Sequence, residues 1–290
     1  MSAIIYYLII KPLSLLPLSI LYYLSDIIFI LVYHLVGYRK KVVFSNLRNS
    51  FPDKNSDQIK EIANRFYHHM CDVIVESIKL FSISEEEGIN RFKVVSPEIS
   101  DKYFEKGISL IGVGGHYNNW EMLATLLDPQ IKHQSVGIYT KLTDPFFEKK
   151  FSQSRTKFGM HLLPKREVKK FYAEYKDKPT LTIFGIDQSP SSATKRVYWV
   201  DFLNQDTPAM YGSEKYAREY NYPVLFIAIS KIKRGYYELE FELLEDNPVN
   251  AEYGSIIEKG TRRLEQQILE RPEFWLWSHK RWKKRREDFE

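Results

Sequence analysis

The sequence holds one cysteine, Cys71, in 290 residues, which excludes an intrachain disulfide framework and gives no sign of an oxidising compartment. A Gly-x-Ser-x-Gly elbow is missing, and Cys71 falls on an amphipathic helical pattern away from any strand end, so a covalent route has no obvious nucleophile. Internal repeats and low-complexity stretches are also absent, which excludes solenoids and argues against disorder. His68, His69 and Asp72 lie close together but lack the further ligands that a metal site needs, and neither metal nor cofactor is expected. The opening MSAIIYYLII has no basic residue and is followed by no small-residue cleavage site, so a retained apolar segment is expected rather than a cleaved signal.

What is present begins with charge. The net charge of +5 is modest, but positive residues bunch at Arg39 to Lys41 and again at Lys280, Arg281 and Lys283 to Arg286. Such bunching fits nucleic acid, acidic lipid headgroups or an acidic carrier protein. The run from Pro12 to Val36 contains Asp26 as its sole acid and His34 as its sole basic-capable residue. As one helix it would be about 37 Å long, enough for a hydrocarbon core of about 30 Å. Tyr22, Tyr23 and Tyr33 suit a membrane interface, and Arg39 to Lys41 set the following chain on the cytoplasmic side. Pro12, Pro17 and Asp26 interrupt a clean crossing, so spanning and shallow interfacial burial both stand, with a buried core helix as the bland alternative.

Residues 1–45 are accordingly expected to form a membrane anchor with a basic flank, and 46–290 a catalytic unit with a helical lead-in over 46–100 and an α/β part over 101–290. Apolar residues at helical spacing predict an amphipathic helix over 56–81, and Ser84 with Glu87 predicts a capping box. From residue 107, short β-rich runs start near 108, 133, 180, 196, 223 and 236. Helical patterns lie between them near 118–128, 144–158, 166–177, 209–220 and 252–271. The fold class is therefore α/β, a central mixed sheet flanked by helices. Thr207-Pro208 reads as a helix N-cap followed by proline at the first helical position.

In such folds ligands gather at the carboxyl ends of strands. There the segment GVGGHYNNWE places His116 just after Gly114-Gly115, with Glu121 in the first turn of the next helix. A histidine so placed can take a proton from an attacking hydroxyl while a carboxylate holds its other ring nitrogen. The bland reading has His116 capping the helix and Glu121 complementing its dipole. Asp187 and Gln188 end a strongly apolar strand, where a carboxylate needs a partner; they either line a pocket beside His116 or cap the following loop.

His116 to Glu121 matches the His, any four residues, Asp or Glu motif of the glycerolipid and lysophospholipid acyltransferase superfamily. Around it, RKKVVFSNLRNSFPD at 39, YTKLTDPFFEKKFSQSRTKFGM at 139, FGIDQSP at 184, YPVLFIAI at 222 and PEFWLWSHKRWKKR at 272 follow in order. Together they resemble the late acyltransferases of lipid A biosynthesis over nearly the whole chain. One departure is Tyr139-Thr140-Lys141, where many members have Tyr-Arg; lysine keeps the charge but loses the planar fork that binds phosphate.

The resemblance implies an acyl carrier protein thioester as donor and a hydroxyl of a phosphorylated lipid A precursor as acceptor. It also implies work at the cytoplasmic face of a Gram-negative inner membrane, in lipopolysaccharide biosynthesis, without nucleic acid. On that basis His116 is the general base and Glu121 orients it. Arg155, Lys141, Asp187, Gln188 and Asn119 are the substrate-binding candidates, Arg155 for a phosphate of the lipid or of the carrier's phosphopantetheine. The basic, tryptophan-rich C-terminus is assigned to a membrane or carrier surface. Two alternatives remain: an O-acyltransferase for an aminolipid or lysophospholipid, and a non-catalytic lipid- or carrier-binding membrane protein.

Overall fold

A computed structural model describes residues 1–175, 177–191, 194 and 197–289. Seven strands form one mixed sheet: β1 (Phe92–Val94), β2 (Leu110–Gly114), β3 (Gln134–Tyr139), β4 (His161–Pro164), β5 (Thr180–Gly185), β8 (Val224–Lys233) and β9 (Tyr236–Glu245), in the order β1-β9-β8-β2-β5-β3-β4. The block β8-β2-β5-β3-β4 is parallel, and β9 returns antiparallel to β8. Period-two alternation explains why the sheet is covered on both faces. Ile111, Val113, Phe226 and Ala228 point into one apolar layer with Phe66, Ile256 and Leu264. Leu110, Leu181, Leu225 and Ile227 point into the other with Tyr103, Met122 and Leu126. The chain is thus an α/β protein with the flanking helices expected.

The helical expectations hold in outline: Ser56–Lys79, Trp120–Leu126, Pro145–Thr156, Val168–Glu174, Gly212–Tyr220 and Ser255–Glu270. Ser84 accepts the Glu87 backbone N–H at 3.2 Å, one half of a capping box. Arg196, the expected start of one strand, and Lys176, within the expected helix 166–177, lie outside the described residues. Thr207-Pro208 is corrected: the pair lies in β7 (Gln205–Met210), which makes a separate antiparallel hairpin with β6 (Val197–Phe202). The helix there begins only at Gly212. Proline is tolerated in β7 because this two-stranded hairpin has a free edge.

The apolar run also breaks. Leu16 is extended, with ψ 149°, because the ring of Pro17 disfavours a helical residue before it. Two helices result, Ser2–Leu15 and, in the expected anchor, the helix Leu18–Val36, and the latter is long and apolar enough to cross a membrane by length and composition. It runs antiparallel along Ser56–Lys79: Leu21 packs on Val75, Ser25 donates to Asp72 at 2.8 Å, Phe29 stacks on His68 at 3.5 Å and Tyr33 meets Tyr67 at 5.1 Å. Its opposite side exposes Ile20, Tyr23, Ile27, Ile30, Leu31 and Leu35.

Candidate active site

Strand register assembles the site. Gly114 of β2 pairs with Gly185 of β5, so the residues two positions beyond each, His116 and Asp187, emerge side by side at the carboxyl edge. Bare backbone is needed at this exit. A Cβ on Gly115 would stand 2.7 Å from Leu264 and 3.2 Å from an Asp187 oxygen, and one on Gly185 would stand 3.3 Å from the His116 ring.

His116 Nδ1 donates to Asp187 Oδ1 at 2.7 Å, while the His116 backbone N–H and the Trp275 indole N–H donate to Oδ2 at 2.6 and 2.9 Å. Asp187 is buried. Burial alone would raise its pKa, but the charge of His116 and these donors bring it down to about 2. For His116, burial works toward a lower pKa. The charge and hydrogen bond of Asp187, with Glu121 nearby, outweigh it and hold the imidazole above its usual range. With Nδ1 carrying the proton, Nε2 is an acceptor, and the exposed amide of Gln188 stands 3.1 Å from it. That is the position from which a hydroxyl would lose its proton.

Glu121 is placed differently from expectation. The carboxylate on His116 is Asp187, not Glu121, whose oxygens receive Arg155 Nε at 3.0 Å and Nη2 at 2.8 Å. Five residues along the chain bring Glu121 onto the first helical turn, facing the Pro145–Thr156 helix. Arg155 therefore spends two of its donors, Nε and Nη2, on Glu121. Asn119 also departs from the expected substrate contact. It is fully buried, accepts the Met122 N–H at 2.9 Å as helix cap and donates to Glu76 at 2.7 Å. Lys141 is exposed two residues past β3, on the same edge as His116.

The C-terminal tryptophans turn inward. Trp275 and Trp277 are buried, and the segment from Phe274 stitches the loop that carries His116: Asn118 N–H donates to Phe274 O at 3.0 Å and Leu276 N–H to His116 O at 3.2 Å. Arg281 is buried, and Arg286 pairs with Asp206 at 2.7 and 2.8 Å, so this tail is less of a free basic surface than its composition implies. Tryptophan in a sequence otherwise rich in lysine and arginine gave no signal that one indole would serve Asp187.

The family model for bacterial lipid A biosynthesis acyltransferases matches residues 2–284, nearly the whole chain. The chain belongs to that family. A comparison with curated proteins finds no match. In this acyltransferase Cys71 is buried and its thiol is pushed up to about 12, chiefly by burial, which leaves it inert. His69 and Asp72 are engaged by Lys231 at 3.2 Å and Arg234 at 2.6 Å. Among the described residues no group of three side chains is arranged to hold a metal.

Trp275 offers a direct check on this arrangement. Trp275→Phe keeps an aromatic, apolar filling but trades the indole for a smaller phenyl and removes one donor from a buried carboxylate, an interaction worth about 1.5–3 kcal/mol. Acyl-transfer kcat is expected to fall about tenfold or more while the circular dichroism spectrum is kept; an unchanged kcat would show that Asp187 needs no indole.

Proposed function

We propose that the chain transfers a fatty acyl group from an acyl carrier protein thioester to a hydroxyl of a lipid A precursor, with His116 as general base and Asp187 as its positioning residue. The observation that carries this reading is the imidazole locked through Nδ1 at 2.7 Å with Nε2 turned to the exposed edge. His116 Nε2 takes the proton of the acceptor hydroxyl, whose oxygen attacks the thioester carbonyl. The tetrahedral intermediate collapses by breaking the C–S bond, and the imidazolium returns the proton to the departing thiolate. The products are the new ester and the free thiol; no bond to the enzyme forms. Glu121 and Arg155 brace one another beside the base, and the arginine edge not spent on Glu121, together with Lys141, is available to a phosphate of either substrate.

Incubation with acyl carrier protein thioester and a lipid A precursor should release free thiol and add one acyl mass to the lipid. Lipid A from cells lacking the chain should be short of one acyl group. Loss of an acylated aminolipid instead would move the acceptor to another lipid class.

The anchor helix favours lying in one leaflet over crossing upright. It is bonded along its length to Ser56–Lys79, the helix that underlies the catalytic layer, so an upright crossing would draw the charged residues alongside it, Arg65, Asp72 and Glu76, to hydrocarbon depth. The open face of the Lys40–Ser50 helix that carries Lys40, Lys41, Phe44 and Arg48 adjoins the anchor helix through Lys40, which sits 4.1 Å over Tyr33. It suits the headgroups of the cytoplasmic leaflet. Each exposed isoleucine or leucine buried in lipid contributes about 1.5–3 kcal/mol. Ile27→Gln with Leu31→Gln should therefore lower binding to anionic vesicles at least about 100-fold in flotation, and unchanged flotation would remove the interfacial reading.

A further inference from the structure

We propose that Glu76 is a positioning residue that ties the seat of the anchor helix to the geometry of the catalytic loop. This rests on the reading of His116 as the base. Glu76 is fully buried in the last turn of the Ser56–Lys79 helix and touches none of the groups that handle protons. Its carboxylate nevertheless gathers three donors from three separate parts of the chain. Tyr22 of the anchor helix donates its hydroxyl to Oε1 at 2.8 Å. Asn119, inside the His116 to Glu121 motif, donates its amide to Oε2 at 2.7 Å. Tyr237 of β9 donates to the same oxygen at 2.9 Å.

A buried carboxylate is expensive, and an apolar side chain would fill the space at lower cost. What the carboxylate supplies is direction. Asn119 has one end on Glu76 and the other on the Met122 N–H, so the orientation of the amide fixes the start of the helix that carries Glu121. Two residues before it, Tyr117 is held by the carbonyls of Gln267 and Arg271 at 3.0 and 2.9 Å. The loop thus has a fixed roof, and Glu76 is its floor. A second contact runs parallel: Asp72, one turn earlier on the same helix, takes Ser25 at 2.8 Å and, through Arg234, Asp26 of the anchor. The polar face of one helix thereby joins the membrane-facing element to the catalytic loop in a chain of direct bonds, anchor to Tyr22 to Glu76 to Asn119.

The anchor contact can be removed without touching the loop. Tyr22→Phe deletes only the Tyr22 bond; Tyr23→Phe, on the exposed side of the same helix, is the control. With vesicle-bound protein, Tyr22→Phe should lower kcat about tenfold with KM for the carrier thioester unchanged, and should shift or broaden the low-field proton resonance of His116 Nδ1. Tyr23→Phe should match wild type in both. Glu76→Gln should lower kcat further, and adding Tyr22→Phe to it should cost nothing more, because the two act through one bond. If Glu76→Gln does not fold, the comparison of Tyr22→Phe with Tyr23→Phe decides alone.

Wild-type kcat and an unmoved His116 resonance in Tyr22→Phe would overturn the proposal, as would losses that simply multiply. The resonance keeps the two readings apart. Should the wild-type chain transfer no acyl group, the proposed function falls, and the His116 signal alone still decides whether the anchor reaches the loop.

Discussion

His116→Ala should lower acyl transfer about 10²- to 10⁴-fold, the range set by loss of a positioned general base, in a protein that remains folded and vesicle-bound. The fold is expected to survive because the backbone of this residue carries the structural ties. Its N–H still reaches Asp187, and its carbonyl still accepts Leu276 N–H. The Asp187 carboxylate keeps two of its three donors, so it is not stranded. Substrate affinity should change little, since the imidazole acts in the transition state more than on the bound lipid.

The pair also leaves a mark on stability that an inert core histidine would not. Because the folded pKa of His116 is raised, its contribution is fully present below the unfolded value of about 6.5 and fades as pH rises through the folded value. Asp187 works in the opposite sense. Its pKa is lowered to about 2, so its contribution is present above the unfolded value of about 3.9 and is lost as pH falls toward 2. The melting temperatures of wild type and His116→Ala should therefore differ more at pH 5.5 than at pH 8.5. A variant with near-normal turnover would remove His116 from the chemistry, and an equal gap at both pH values would remove the ion pair.

The strands were legible because apolar runs bounded by turn residues need no long-range information. The edge of the sheet that holds the site follows from them, and His116 follows from Gly114-Gly115 at the strand exit. Its partner was harder. Glu121 is close in sequence and chemically apt, whereas Asp187 lies 71 residues away and meets His116 only through the register of two parallel strands, a property that local pattern does not encode. The same reason hid Trp275, whose indole reaches Asp187 across 88 positions, and Glu76, which reads as an unremarkable acid on an amphipathic helix. Thr207-Pro208 misled for a local reason: a threonine before proline suits both a helix start and an edge strand, and only pairing with Trp199 and Val200 decides between them. Pro17 was visible as an interruption, and the break one residue before it follows from proline sterics.

Asp187→Asn should be the more instructive lesion, with kcat lowered about 10³- to 10⁴-fold and a loss at least as large as that of Asp187→Ala. The asymmetry follows from which atoms donate. The His116 backbone N–H and the Trp275 indole both aim at Oδ2, so an asparagine there must turn its carbonyl oxygen toward them. Its amide N–H₂ then faces His116 Nδ1 in place of Oδ1. A donor meeting a donor forces the imidazole to carry its proton on Nε2, the nitrogen that has to accept one from the hydroxyl. Alanine removes the carboxylate but leaves the tautomer free to equilibrate. Losing the negative charge also lowers the His116 pKa, so the acid limb of the pH profile of residual kcat/KM should move to lower pH in both variants. If asparagine is tolerated better than alanine, or the acid limb stays where it is in wild type, the carboxylate is not what sets the proton on Nδ1, and another group must do so.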